Sequence, residues 1–424
     1  MGWIVPTSAR TFRAGWRDPS GKERSKTFKI KRDARQFLAR VEAEIARGTY
    51  VDPAAGKRPF REFAERWVAS RKVEDSTDER AQSVMRAHVL PKWGAWPLAK
   101  IDHGSIQDWV NELGVGRKPA TVAKCYGLLS QILRAAVKAR LIPFDPSEGV
   151  NKPSTYDPHT ELHTVSRETF TDTLLPAVPA EPPHLRILVC LAAGAGLRWG
   201  EAAGLPWSAV DLERGELTVR QVAVETAGAV RVRQFPKTRH GVRTVPLADF
   251  LWEALKEYRG DPDDEPPYPL VCPTSNGTPL RRSNFRRQVW RPALVRAGML
   301  GSVDQVAADV WRATWTDAED RERKKRFGSE REAVAHVAAH QAGGLRYHDL
   351  RHCYATWLVS AGVPVNMVQR VMGHAQPSTT LNRYTHVPSD YDDRVRAVFR
   401  DADEPRERSD EDGEEGAAGA LIPA

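Results

Sequence analysis

The sequence predicts a mainly helical protein with small antiparallel β-sheets, organised as a short β-β-α module, a helical domain and a larger mixed domain. Three observations carry this. Residues 1–58 show two strand-like stretches followed by helical periodicity. From Phe60 to Arg140, apolar residues recur at helical spacing. Beyond the proline-rich stretch Pro143 to Pro158, short alternating segments are mixed with further helical runs.

In the first module, Ala9 to Trp16 is strand-like, Asp18-Pro19-Ser20-Gly21 is a turn signal, and Ser25 to Ile30 can return antiparallel. A helix follows from Lys31, with Ala34, Phe37, Leu38, Val41 and Ile45 on one face and Gly48 as its stop. Residues 1–35 hold ten lysines and arginines against three acids, which favours a basic β-ribbon laid against a polyanion over a merely solvated hairpin. Gly56-Lys57-Arg58-Pro59 reads as a linker. The helical domain, 59–152, then comprises Phe60–Arg71, Ser76–His88, His103–Leu113 and Thr121–Arg140, a bundle of about four short helices by its periodicity.

The third domain spans 163–400. Leu185 to Ala193 is continuously apolar and fits a buried helix as well as a buried strand. Leu217–Val224, Val230–Phe235 and Val242–Val245 read as three strands of one small antiparallel sheet, and Tyr347–Ala361 and Val363–Met372 as helices. The stretch near 302–342 is densely charged at Asp317–Arg326 and reads as a helix with a solvated face or a helical hairpin, open to contact with DNA or with a partner subunit. Ser389–Arg400 carries Tyr391, Val395, Val398 and Phe399 on one helical face. Residues 401–424 form an acidic tail expected to be disordered.

Charge narrows the class. The net charge of +8 understates the basicity of the body, because Asp401 to Gly416 holds nine acids against Arg406 and Arg408. A basic body points to a polyanionic partner, nucleic acid first. No window is apolar enough to span a membrane, and no signal peptide is evident at the N-terminus. The four scattered cysteines, Cys125, Cys190, Cys272 and Cys353, argue against a disulfide framework or a cysteine zinc site and for a reducing cytoplasm.

Two motifs fail on their residues. Gly194-Ala195-Gly196 hints at a dinucleotide loop, but Trp199 stands where a third glycine is needed. His348 and His352 sit one helical turn apart as in a zinc protease, yet Asp349 replaces the glutamate base and no third ligand follows. A third constellation uses more residues. In order along the chain come Gly196-Leu197-Arg198-Trp199-Gly200-Glu201, Phe235-Pro236-Lys237-Thr238 before Arg243-Thr244-Val245-Pro246-Leu247, Tyr347-His348-Asp349-Leu350-Arg351-His352, Met372-Gly373-His374 and Asn382-Arg383-Tyr384-Thr385-His386. Any one of these residues has a bland reading, as a helix cap, a solvated lysine or a core aromatic. Together, and in this order, they resemble the tyrosine recombinase family of phage integrase type.

That resemblance implies a DNA strand transferase, integrating or excising a mobile element through a 3′-phosphotyrosine. Tyr384 would be the nucleophile, and Arg198 and Arg351 a clamp on the phosphate oxygens, where planar, permanently charged guanidiniums suit the developing negative charge. His348 would take the phenol proton, Lys237 protonate the departing 5′-oxygen and His374 hydrogen-bond the phosphate, with Glu201 and His352 supporting the clamp. It implies no cofactor and no metal ion, since the arginines supply the positive charge. The implied partners are double-stranded DNA attachment sites, a homotetramer on paired sites, and accessory factors of host or phage, in the cytoplasm with no membrane. It also implies that residues 1–58 are an arm-type DNA-binding module, 59–152 a core-binding domain, and Ser389–Arg400 a contact to the neighbouring subunit. A catalytically inactive DNA-binding relative and a topoisomerase-like enzyme are the alternatives; the second would relax plasmids that lack any site.

Overall fold

The computed structural model describes residues 2–52, 54–71, 75–154, 163–226, 228–234, 242–261 and 263–373. Lys237, His374, Tyr384, the segment Ser389–Arg400 and the acidic tail lie outside the described residues. The chain divides into two units, residues 1–162 with 224–231, and 163–223 with 232 onward.

The first unit opens on a three-stranded antiparallel sheet, Trp3–Pro6, Phe12–Arg17 and Glu23–Phe28, with the middle strand between the other two. Alternation along Phe12–Arg17 puts Ala14 and Trp16 on the face covered by the helix Lys31–Ala46, where Leu38 and Val41 are buried. Trp16 Nε1 donates to Tyr50 Oη at 2.9 Å, which satisfies a buried polar atom of each. The edge strand Trp3–Pro6 adds to the two strands expected from sequence. It is four residues long, ends in proline and alternates too briefly to be read in advance.

The helices Phe60–Ser70, Asp75–Val84, His103–Gly114 and Pro119–Lys138 enclose a second core of Phe60, Val68, Trp93, Ile106, Ile132 and Leu133. Their ends follow capping chemistry. Asp102 accepts the Ser105 amide at 2.8 Å at the start of one helix, and Pro119 occupies the first turn of the longest, where its missing N–H costs nothing.

In the second unit, the apolar run becomes the helix His184–Gly194, buried along nearly its whole length. Strands Val210–Asp211, Glu216–Val219 and Arg243–Pro246 form one sheet, whereas Gln221–Thr226 and Ala229–Gln234 form a separate hairpin. The single three-stranded sheet expected from sequence is therefore split. Arg243–Pro246 pairs with Glu216–Val219 rather than with its nearer neighbour, so Leu217 and Val245 meet in the core.

The charged stretch near 302–342 also departs from expectation. It is not a helical hairpin but three antiparallel strands, Ser302–Ala307, Val310–Thr316 and Glu322–Phe327, followed by the helix Glu330–His340. Helix-favouring Glu, Arg and Lys are overridden because Trp311, Ala313 and Trp315 alternate toward the helix, and Asp317 turns the chain by accepting the Glu319 and Arg321 amides, both at 3.0 Å. Arg291 ties this module down: its buried guanidinium donates to the carbonyls of Ala338, Gln341 and Gly343 at the end of that helix.

Candidate active site

The site is built where four elements meet: the turn after His184–Gly194, the strand Arg243–Pro246, the start of the helix Tyr347–Ser360 and the end of the helix Val365–Met372. Gly196 makes the first turn with φ of +62°, and a Cβ there would lie 2.5 Å from the Tyr354 ring. Both the left-handed backbone and the close approach require glycine. The turn delivers Arg198 as the residue preceding the short helix Trp199–Ala203.

Glu201 organises the surrounding cations. Its carboxylate caps its own helix by accepting the Arg198 amide at 2.9 Å, and it accepts Arg198 Nη1 at 2.9 Å. From the neighbouring strand, Arg243 grips the same carboxylate with two bonds, Nη2 to Oε2 at 2.8 Å and Nη1 to Oε1 at 3.2 Å. Arg351 Nη1 lies 4.0 Å from Oε2. Burial alone would raise the Glu201 carboxyl, but the Arg243 hydrogen bonds and the charges of Arg243, Arg351 and Arg198 bring it down to about 2. It is an anion at every working pH. Three guanidiniums share it, so positive charge is left over.

The three arginines are not equivalent. Arg351 is 1% exposed, and its guanidinium donates to the carbonyls of Gly196 and Met372. Arg243 is also buried and donates from Nε to the Val371 carbonyl at 2.7 Å. Arg198 alone of the three keeps 43% of its side chain exposed, while Nη2 donates to the Gly373 carbonyl at 3.3 Å. Gly373 ends its helix in the left-handed conformation, and a Cβ there would press on Arg243.

His348 and His352 lie one turn apart near the start of the helix Tyr347–Ser360, their ring centroids 4.9 Å apart and edge to face. The helix entry is fixed by Asp349, whose buried carboxylate accepts the Arg346 amide at 2.7 Å and the Arg346 guanidinium. Tyr347 locks the same turn from behind by donating to the Leu188 carbonyl at 2.7 Å. The His348 ring reaches the surface, but the packed protein behind it withholds water from the cation. That desolvation, with the positive charge of Arg351 and Arg198, lowers its pKa to about 4. The imidazole is therefore neutral at pH 7, and a weaker base than a free imidazole while those charges stand uncompensated. Among the described residues no third ligand joins the two histidines into a metal site.

Of the residues singled out from sequence, Arg198, Glu201, His348, Arg351 and His352 come together here. Lys237, His374 and Tyr384 fall outside the described residues, although Gly373, the chain neighbour of His374, already contacts Arg198. Sequence reasoning gave Arg243 no role. Its motif was visible, but nothing in a short exposed-looking V-R-T-V run indicates that the arginine is buried against a carboxylate 42 residues away.

Comparison with known proteins supplies a context for this geometry. Residues 169–316 and 321–390 match the model of the phage integrase family, and residues 60–152 that of the phage integrase central domain. The prophage phiRv2 integrase of Mycobacterium tuberculosis is 25% identical over 406 residues, 94% of this chain and 95% of its own. A tyrosine recombinase XerC-like protein of Caldanaerobacter subterraneus is 27% identical over 304 residues, 66% of each chain. Among solved structures, the Tn1549 transposon integrase in complex with a circular intermediate DNA superposes with a TM-score of 0.57 at 17% identity, covering 81% of this chain and 99% of that one. A lambda integrase dimer bound to a core site gives 0.51 at 15% identity, covering 90% and 94%. At such identities the structural likeness carries the fold.

Proposed function

Because the chain belongs to the phage integrase family, its activity is site-specific DNA strand transfer, and we propose that Tyr384 performs it beside the guanidinium cluster ordered by Glu201. The observation that carries this reading is that one buried carboxylate holds Arg198 and Arg243 by hydrogen bonds and has Arg351 4.0 Å away, with Arg198 open to solvent. Such a cluster is arranged before any phosphate arrives, so little reorganisation is needed as charge grows on the non-bridging oxygens.

In the reaction, the Tyr384 phenolate oxygen attacks phosphorus, the bond to the 5′-oxygen breaks, and a 3′-phosphotyrosine forms. The phenol proton passes to His348, which is neutral at working pH and gains basicity as the phosphate's negative charge offsets the flanking arginines. Lys237 gives a proton to the departing 5′-oxygen, and His374 hydrogen-bonds the phosphate. Rejoining reverses these steps when a 5′-hydroxyl attacks the phosphotyrosine, so no external energy source is consumed. Glu201 and His352 are positioning residues, the first orienting the arginines and the second packing against His348.

We assign residues 1–58 to arm-type DNA contact, 59–152 to the core site, 163–400 to catalysis, and 401–424 to an acidic tail outside the catalytic unit. The working form is four copies on two paired duplexes, with accessory factors of the host or element, and Ser389–Arg400 docking on the neighbouring copy. The four cysteines are free and buried, which supports action in a reducing cytoplasm on nucleoid DNA. Among the described residues, no helix is long and apolar enough to cross a membrane.

A nicked suicide duplex carrying the attachment site tests the chemistry. The wild-type chain should accumulate a covalent adduct that peptide mapping places on Tyr384, and Tyr384→Phe should bind the duplex equally well yet form none. An adduct on the Phe variant, or one mapped elsewhere, overturns the assignment.

A further inference from the structure

We infer that the module at residues 302–340 is a second copy of the N-terminal β-ribbon module and forms a second contact surface for duplex DNA. The two match position for position at a constant spacing of 299 residues, as from Trp16 to Trp315. Ala14, Trp16, Asp18, Arg24, Lys26 and Phe28 recur as Ala313, Trp315, Asp317, Arg323, Lys325 and Phe327. The strands share register: Trp16 pairs with Arg24 as Trp315 pairs with Arg323, and Phe12 with Phe28 as Trp311 with Phe327.

The side chains repeat as closely as the backbone. Asp18 accepts the Ser20 and Lys22 amides at 3.0 Å each and Arg24 Nε at 3.0 Å. Asp317 accepts the Glu319 and Arg321 amides at 3.0 Å each and Arg323 Nε at 2.9 Å. Left-handed residues recur too, Arg10 and Asp309 with φ of 55° and 57°. In both copies an aromatic ring of the helix, Phe37 or His336, packs against the tryptophan and phenylalanine of the sheet, at 5.4 and 5.1 Å in one and 4.6 and 4.9 Å in the other. A lysine lies over that phenylalanine in each, 5.5 and 5.2 Å from the ring. Chance does not reproduce a turn, a positive φ and an aromatic cluster at one fixed offset.

The surface left open indicates the ligand. With Trp311, Ala313 and Trp315 turned to the helix, Arg312 and its neighbours on alternate positions face away, together with their cross-strand partners. Arg312 stands directly opposite Arg326, and Lys324 lies on the same face. Like charges directly opposite one another weaken a sheet, so folding gives no reason for this pair, whereas the phosphates of a duplex would relieve it. Asp304 and Glu322 neutralise part of the charge, at 3.6 Å from Arg312 and 2.7 Å from Lys324, so this copy should contribute less than the first. On the N-terminal copy, Arg13 and Arg17 occupy the corresponding open face and are exposed.

The inference rests on the assignment of the N-terminal module to DNA, and salt titration separates the two. Binding of the full chain to a long mixed-sequence duplex is measured with Arg312, Lys324 and Arg326 all changed to Gln, and separately with Arg13 and Arg17 changed to Gln. Every phosphate that a variant no longer neutralises should lower the slope of log K against log salt by about 0.9, so the triple variant should drop by roughly 1 to 2 in slope. As a check that needs no variant, acetylation of Lys324 in the wild-type chain should fall several-fold when duplex is added. An unchanged slope together with unchanged Lys324 reactivity overturns the inference. If the Arg13 and Arg17 variant still loses slope in that case, the N-terminal assignment survives alone. If only the triple variant loses slope, the second surface stands and the first assignment falls. Normal DNA binding by the triple variant with weakened self-association would make this face a contact between copies and also overturn the inference.

Discussion

Arginine is used in two opposite ways in this molecule. Around Glu201, Arg243 and Arg351 are buried, and they are held by bonds to a carboxylate and to main-chain carbonyls. On the open face of the ribbon at 302–340, Arg312 is about half exposed and paired to the surface acid Asp304. On the proposed reading, the first arrangement fixes a few charges for one phosphate and the second spreads its charges along a duplex. Burial makes each charge of the first kind costly to remove and gives it geometry, whereas solvent screens the second kind, which acts by number.

The sharpest way to break this contrast is Arg351→Ala. Removing one member of a buried ionic cluster leaves carbonyls and Glu201 short of partners, costing about 3–5 kcal/mol of stability. Cleavage should fall by several powers of ten, since about 1.4 kcal/mol is a factor of ten. A melting curve and a single-turnover cleavage assay check both, and near-normal stability would show that the cluster is not held as described. Glu201→Gln is a milder cut, because the amide keeps the shape but loses the charge. It should slow cleavage by about a hundredfold while leaving duplex affinity and its salt slope intact, the scale seen when one preorganising group is lost. Equal losses in affinity and rate would instead place Glu201 in DNA binding.

The smallest effect concerns pH. With His348 lowered to about 4, the imidazole stays neutral down to that value, so the acid limb of kcat/KM for cleavage should fall near 4 rather than at the ordinary histidine value of about 6.5. The sign also applies to stability. A histidine whose folded value is depressed contributes fully above about 6.5, and that contribution is lost as pH falls toward 4. An acid limb near 6.5 that moves in His348→Gln would contradict the desolvated, arginine-flanked setting.

Much of this was legible in the sequence. Helices such as His103–Gly114 and Tyr347–Ser360 announce themselves through apolar spacing, and the family through the types and order of its motif residues. The features that stayed hidden depend on pairing across distance. Arg243–Pro246 chooses Glu216–Val219 as its partner, and only that choice buries Arg243 on Glu201. The strand Glu322–Phe327 was hidden because its run of charges mimics a solvated helix, while the alternation that makes it a strand belongs to its neighbour Val310–Thr316. The duplication is present in the letters, but two copies 299 residues apart, one set within the second unit, do not show as a short period.

The central claim is that the Glu201-ordered arginines exist to neutralise a phosphate in the transition state, and Arg198, the member open to solvent, tests it most directly. Arg198→Ala should be nearly inactive on a suicide duplex with an ordinary scissile phosphate. On a duplex whose scissile phosphate is replaced by an uncharged methylphosphonate, there is less charge to neutralise, so the variant should recover cleavage toward the wild-type rate. An Arg198→Ala chain that is equally impaired on both substrates, while still folded and binding DNA, would contradict the account.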